Sequence, residues 1–456
     1  MRRVTMLTCS ALVGLAAIAA SSQSLGPDNV SKAVLYEGGR LIVGDGTAPL
    51  EAGAFLVQNG RISALGRKGM VTAPAGATRV DLTGKTVMPA WINVHVHIGY
   101  EGYTSWGAEN YTPRNVLDHL EREAFYGILG TVAVGSSPTA QAFQFQQDQQ
   151  AGKFPPASRF FFMPGMAPPN GGPDATLIKA TTALHAVYEV STGPEARAAV
   201  RTLAGRNIKH VKIWVDDRRG TYPKMTPDVY TAIIDEAHKH QMTVHAHATT
   251  LADQKAVVGA GADVLVHIVA NEKLDAEYLA LLREKKPYWT PVMGLGDRSE
   301  VCDNDPFVDQ VLPPKTIAAI REMSCGPAIA NAATREEMIA NNFPKMVAAG
   351  ARLVLGTDAG IAPRHSFGWA DHHEVARYVQ LGLTPSQAIM AATQRPAELL
   401  GIKDMGTLAV GKSADFVVLD ANPLENIRNT RQITNVSLRG TMLDRDAWLA
   451  GWKKAN

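Results

Sequence analysis

Short apolar runs punctuated by turn residues open the chain. Residues 33–36, 40–43, 54–57 and 61–65 are separated by Gly-Gly, Asp-Gly and Asn59-Gly60 pairs, a pattern that predicts a small β unit. Stretches 406–408, 411–420 and 433–438 read in the same way, so both chain ends are expected to pair into one β-sandwich. Between them the rhythm changes. Apolar, strand-like runs at 131–134, 210–215, 242–247, 264–267 and 353–358 alternate with helical patterns such as 227–240 and 385–400. That alternation predicts βα units around a parallel sheet, an α/β fold of (β/α)8 barrel type. The expected division is a leader over 1–22, a first sandwich part over 23–88, a barrel over 89–400 and a second sandwich part over 401–456.

Composition narrows the classes. The chain has 456 residues with 45 basic against 43 acidic side chains, and a net charge of +2 provides no basic field for a nucleic acid. With 46% apolar and 19% charged residues it can bury a large core. Met1-Arg2-Arg3 followed by an apolar, small-residue run ending Ile18-Ala19-Ala20-Ser21-Ser22 has the layout of a secretory signal peptide. An uncleaved anchor helix is the alternative, while lipidation at Cys9 fits poorly because almost no apolar region precedes it. The expectation is an exported protein, periplasmic or secreted, with no stable membrane span after cleavage. Export leaves Cys302 and Cys325 in an oxidising setting, and a disulfide between them is expected.

The candidate chemistry lies where the strands should end. In a barrel, side chains at the C-terminal ends of strands build the active site. His95 and His97 alternate along one strand face, so two imidazoles two residues apart can share one metal ion. Lys212 interrupts an apolar run, a costly place for a charge unless it is paired or modified. His245 and His247 share a face of the next run, His267 ends another, and Asp358 closes 353–358. Either His245 or His247 could be the ligand from that run.

The ordered set resembles the amidohydrolase superfamily over nearly the whole chain. The opening stretch Gly84-Lys85-Thr86-Val87-Met88-Pro89 with His95-Val96-His97 and the closing stretch 406–420 carry the resemblance. Within it the sequence is similar to the imidazolonepropionase-like branch that includes Xaa-Pro dipeptidases. The matching parts are 247–263 with His267, Gly356-Thr357-Asp358-Ala359-Gly360, and Leu383-Thr384-Pro385 with 388–393. Two departures stand out: Ala90 follows Pro89 where glycine is usual, and Asn93 stands where the family often has aspartate, removing a carboxylate behind the histidine ligands.

The resemblance implies a TIM barrel with two divalent ions, zinc being the best suited. His95, His97 and Asp358 would hold the more buried ion, and His247 and His267 the more exposed one. Lys212, as N6-carboxylysine, would bridge them. His247 is favoured over His245 by its spacing to His267. It further implies a water activated between two cations, with Asp358 as proton carrier, hydrolysing an amide-type bond in a small molecule: a peptide, an N-acyl amino acid, an aryl amide or a carbamate. The alternatives are a mononuclear deaminase or cyclic-amide hydrolase of the same fold, and a non-catalytic exported metal- or solute-binding protein. His245, His365, Tyr100, Tyr103 and Trp289 are the further candidates for supporting ligands or contacting substrate, and the family's habit of assembling allows a homo-oligomer.

Overall fold

Two sheets organise the chain in a computed structural model that describes residues 33–173, 176–297, 299–326, 331–362 and 365–454. The leader expected over 1–22 lies outside the described residues. No helix among the described residues is long and apolar enough to cross a membrane.

The central sheet is parallel. Its eight-strand path runs through Trp91–Val96, Ile128–Gly135, Arg159–Ala167, His210–Trp214, Thr243–His247, Val264–Val266, Tyr288–Thr290 and Arg352–Leu353, and Val187–Glu189 pairs beside the third. Each strand pairs in parallel with its neighbour, because helices such as Pro113–Phe125 and Pro227–Lys239 return the chain to the same end. The run expected as a strand over 353–358 leaves its ladder after Leu353 and turns onto the first strand instead. Val94 N–H donates to Leu355 O at 2.9 Å, Thr357 N–H to His95 O at 3.0 Å, and His97 N–H to Ala359 O at 2.8 Å. The sheet therefore curls until its two edges meet, the geometry of a parallel barrel.

That approach explains Gly356 and Gly360. A Cβ at Gly356 would stand 2.6 Å from His95 Cβ, and one at Gly360 would run into the His97 carbonyl oxygen. Gly360 also has φ +87°, the left-handed region open to glycine.

The second sheet unites the chain ends, as the patterning indicates. Its path joins Thr441–Met442, Ile433–Leu438, Phe416–Leu419, Thr86–Pro89, Val34–Leu41, Leu50–Gln58 and Arg61–Arg67, with Thr78–Asp81 paired to Val34–Leu41. It is one hydrogen-bonded sheet. Ile62 N–H donates to Lys412 O at 2.9 Å and Gly411 N–H to Ile62 O at 2.8 Å, so the sheet bends back on itself. Tyr36, Phe55 and Phe416 meet inside the bend, Tyr36 stacked on Phe55 at 4.9 Å.

Two element boundaries differ from the patterning. The runs 33–36 and 40–43 form a single strand, Val34–Leu41, with an irregularity at Gly38–Gly39 that absorbs the turn signal. The helical pattern over 385–400 is two helices, Pro385–Ala392 and Gln394–Leu400. Pro396 has no N–H to continue the first helix, and the chain breaks at Thr393, whose hydroxyl donates to Gly44 O at 2.9 Å.

Candidate active site

The strand period brings His95 and His97 to one face, and the crossing of Thr357–Ala359 over that strand delivers Asp358 between them. His95 Nε2 lies 2.8 Å and His97 Nε2 3.2 Å from Asp358 Oδ1, all three residues being about 1% exposed. Asp358 reaches this position with φ +59°, a conformation few non-glycine residues hold without a compensating contact. His97 Nε2 and both Asp358 oxygens are buried without a well-formed hydrogen bond. These three residues offer ligand atoms within 4.8 Å of one another, a donor set that suits a divalent cation.

A second pair stands beside the first. His267 Nε2 is 2.8 Å from His247 Nδ1 and 3.9 Å from Asp358 Oδ2. His267, like Asp358, has a left-handed backbone, φ +80°. Burial first, and then the neighbouring positive groups, lowers the His95 ring to about 4 and His267 well below its usual value, so both stay neutral, as ligands must be. Burial by itself would raise Asp358, but the imidazoles of His95, His97 and His267 hold its carboxyl well below the ordinary range.

Lys212 is fully buried, with Nζ 3.5 Å from His95 Nε2 and 5.4 Å from the centre of the Trp214 ring. The strand register sets Lys212 beside His245 and Trp214 beside His247. Space for the Trp214 ring comes from Gly165, where a Cβ would stand 2.5 Å from Cζ3. His245 lies one pleat deeper than His247. It packs edge-on to His210, with ring centres 5.6 Å apart, and burial drives its pKa well below the usual value. Of the two histidines sharing that face, His247 is the one that meets His267.

The remaining candidates fall around this centre. Tyr100 is buried and donates to Ser136 O, while the Ser136 hydroxyl meets His97 Nδ1 at 2.8 Å. Tyr103 donates to Asp118 at 2.9 Å and covers Arg122, away from the histidines. His365 Nε2 donates to Thr357 O at 2.7 Å and steadies the Asp358 segment. Trp289 does not line a substrate pocket: it is a core residue, packed on Phe343 with ring centres 5.4 Å apart, and its Nε1–H donates to His267 O at 2.9 Å. A strand side chain must point to one face or the other, and the odd–even register sends Thr290 inward and Trp289 out. Cys302 and Cys325 are bonded, as expected.

Sequence reasoning missed Asp216 and Arg218. Asp216 Oδ2 lies 3.0 Å from His247 Nε2 and accepts from Thr249 Oγ1 at 3.1 Å, and Arg218 pairs with Asp216. The available signal was position: Asp216 follows the Lys212 strand as Asp358 follows its own.

Residues 86–443 match the model of the Amidohydrolase family. The chain is 21% identical over 410 residues to an enamidase of Eubacterium barkeri, covering 87% of this chain and 89% of that one. Among solved structures, a Xaa-Pro dipeptidase superimposes with a TM-score of 0.70 at 24% identity, covering 90% of this chain and 99% of that one. Molinate hydrolase gives 0.72 at 21% identity, with 91% and 96% covered. At these identities the structural likeness is one of fold.

Proposed function

We propose, from the premise that this chain belongs to the amidohydrolase family, that it is an exported binuclear hydrolase of an amide-type C–N bond. One observation carries the reading. Asp358 faces both halves of the site, with Oδ1 toward His95 and His97 and Oδ2 toward His267. His267, which also meets His247, thus brings a second set of donors to the other carboxylate oxygen, and this supports a two-ion reading.

His95, His97 and Asp358 would hold one ion, His247 and His267 the other, and Lys212 would reach both as N6-carboxylysine. Carbon dioxide adds to the neutral amine of Lys212, a proton leaves, and the product offers two anionic oxygens where an ammonium offers none. Imidazole and carboxylate donors suit zinc. When bound, the ions activate water for attack and polarise the scissile carbonyl.

The chain's own residues do the rest. Asp358, kept ionised, accepts the proton of the attacking water and passes it to the departing amine. Asp216 orients His247, and Ser136 orients His97. Tyr100, Leu177, Ala180 and Ile361 form an apolar cluster flanked by Trp106 and Leu295, and Tyr100 ties it to the site through Ser136, which meets His97. It supports a bulky apolar group on the substrate, which the reading draws from peptides, N-acyl amino acids, aryl amides and carbamates. Export is supported by the leader pattern and by the Cys302–Cys325 bond. The frame adopted is a closed eight-stranded barrel over 89–400 with a sandwich built from 23–88 and 401–456.

Elemental analysis of purified protein tests this reading. Two ions per chain, falling to one or none in Lys212→Ala, together with turnover of an amide and dipeptide panel, is the expected result. One ion indifferent to Lys212 would overturn the binuclear assignment.

A further inference from the structure

Asn93 lies two residues before His95 on the same strand. Its side chain is fully buried and engaged at both ends. Oδ1 accepts the His95 N–H at 2.9 Å, while Nδ2 donates to Asp371 Oδ1 at 2.8 Å and to Thr357 Oγ1 at 2.9 Å. The backbone N–H can only donate, so Asn93 Oδ1 faces it and Nδ2 is left to donate to Asp371 and Thr357. Asp371 comes from the helix Trp369–Gln380, and behind it stands Glu123 of the helix Pro113–Phe125, also fully buried.

We propose that Asn93 and Asp371 are a positioning pair that registers His95 against Asp358. A helix distant in sequence supplies the carboxyl, and the strand supplies the amide that meets it. The link spans the two segments that must be aligned. Asn93 grips His95 on one side and, through Thr357, the residue preceding Asp358 on the other, while Thr357 and Asp358 N–H both donate to His95 O at 3.0 and 2.9 Å. Aspartate at 93 would bring a third carboxyl against Glu123 and Asp371 in a dry site, where unpaired charge is costly. In line with that crowding, burial first and then the facing carboxyl push Glu123 well above its ordinary value, and burial raises Asp371 to about 8.

This inference rests on the reading that His95, His97 and Asp358 hold an ion. The test compares the unsubstituted chain, Asn93→Asp, Asp371→Asn and the exchanged double variant Asn93→Asp/Asp371→Asn, following zinc retention against a chelator and thermal unfolding of the metal-free protein. Asp371→Asn keeps an acceptor for Asn93 and is the folded control. Asn93→Asp is expected to weaken zinc retention about 10–100-fold, the usual effect of losing support behind a ligand, and to lower the unfolding midpoint. The double variant is expected to recover most of both. Equal retention in Asn93→Asp and the unsubstituted chain, or a double variant no better than Asn93→Asp, would overturn the pairing. An unsubstituted chain that retained no zinc would remove the metal reading instead, and the pairing would then stand or fall on whether the double variant regains the lost midpoint.

Discussion

Asp216 Oδ2 and His247 Nε2 lie 3.0 Å apart, on the opposite edge of the imidazole from His267. A proton on Nε2 donated to Asp216 leaves the Nδ1 lone pair directed at the space shared with His267 Nε2. Burial would raise Asp216, but the hydrogen bond from His247 and the guanidinium of Arg218 hold its carboxyl well below the usual range, so the acceptor is an anion. Arg218 Nη1 also approaches His247 Nε2, at 2.7 Å, and since a guanidinium only donates, it competes with this tautomer. On the two-ion reading, Asp216→Ala should weaken retention of the ion at His247 and His267 about 10–100-fold with the other ion kept, and Arg218→Ala should weaken it less. Chelator competition on the two variants checks both statements.

On the proposed reading, Asp358→Asn removes the proton carrier while keeping a side chain of the same size. Turnover should fall by about 10²–10⁴-fold, the range for losing a general acid–base, with the circular dichroism spectrum unchanged. A variant with native turnover would remove Asp358 from the chemistry.

His373 predicts a slope in stability above neutral pH. Burial alone would lower its pKa, but Asp297, 3.3 Å from Nε2, and Glu300, 3.5 Å from Nδ1, raise it to about 9. The charged ring therefore favours the folded state. That contribution is complete below the unfolded value of about 6.5 and is lost as pH rises through about 9. Arg428 and Arg431 also face Glu300, at 2.8 and 2.7 Å. Urea unfolding between pH 6 and 10, both values about the edges of that window, should show a fall in the unsubstituted chain that is flattened in His373→Gln.

The Cys302–Cys325 bond closes a segment with a sequence separation of 23. A loop of this size is worth about 3 kcal/mol through the entropy of the unfolded chain. Cys302→Ala/Cys325→Ala should lower the denaturation midpoint, and thiol labelling of the unfolded, unreduced protein should find neither cysteine reactive.

Local spacing alone carried much of the site. His95 and His97 share a face because strand side chains alternate, Lys212 stands out as a charge inside an apolar run, and His247, His267 and Asp358 as polar groups that end theirs. The same local logic placed both chain ends in one β unit through their turn residues, expected as a sandwich and found as one bent hydrogen-bonded sheet. It could not choose between His245 and His247, which share a face, because depth along a strand is set by the neighbouring strand's register. It also left Trp289 without a side, since a strand of three residues is too short to show its alternation.

Asp216 with His247, and Asn93 with Asp371 and Glu123, lay beyond it for a related reason. The sequence by itself determined which faces and which strand ends bear chemistry, since those follow from a two-residue period and the ends of apolar runs. Only the closed tertiary structure decided which of those groups meet. Contacts between residues 93 and 371, or 95 and 358, arise where the last strand segment crosses the first and the helices pack outside them. No local period encodes that closure.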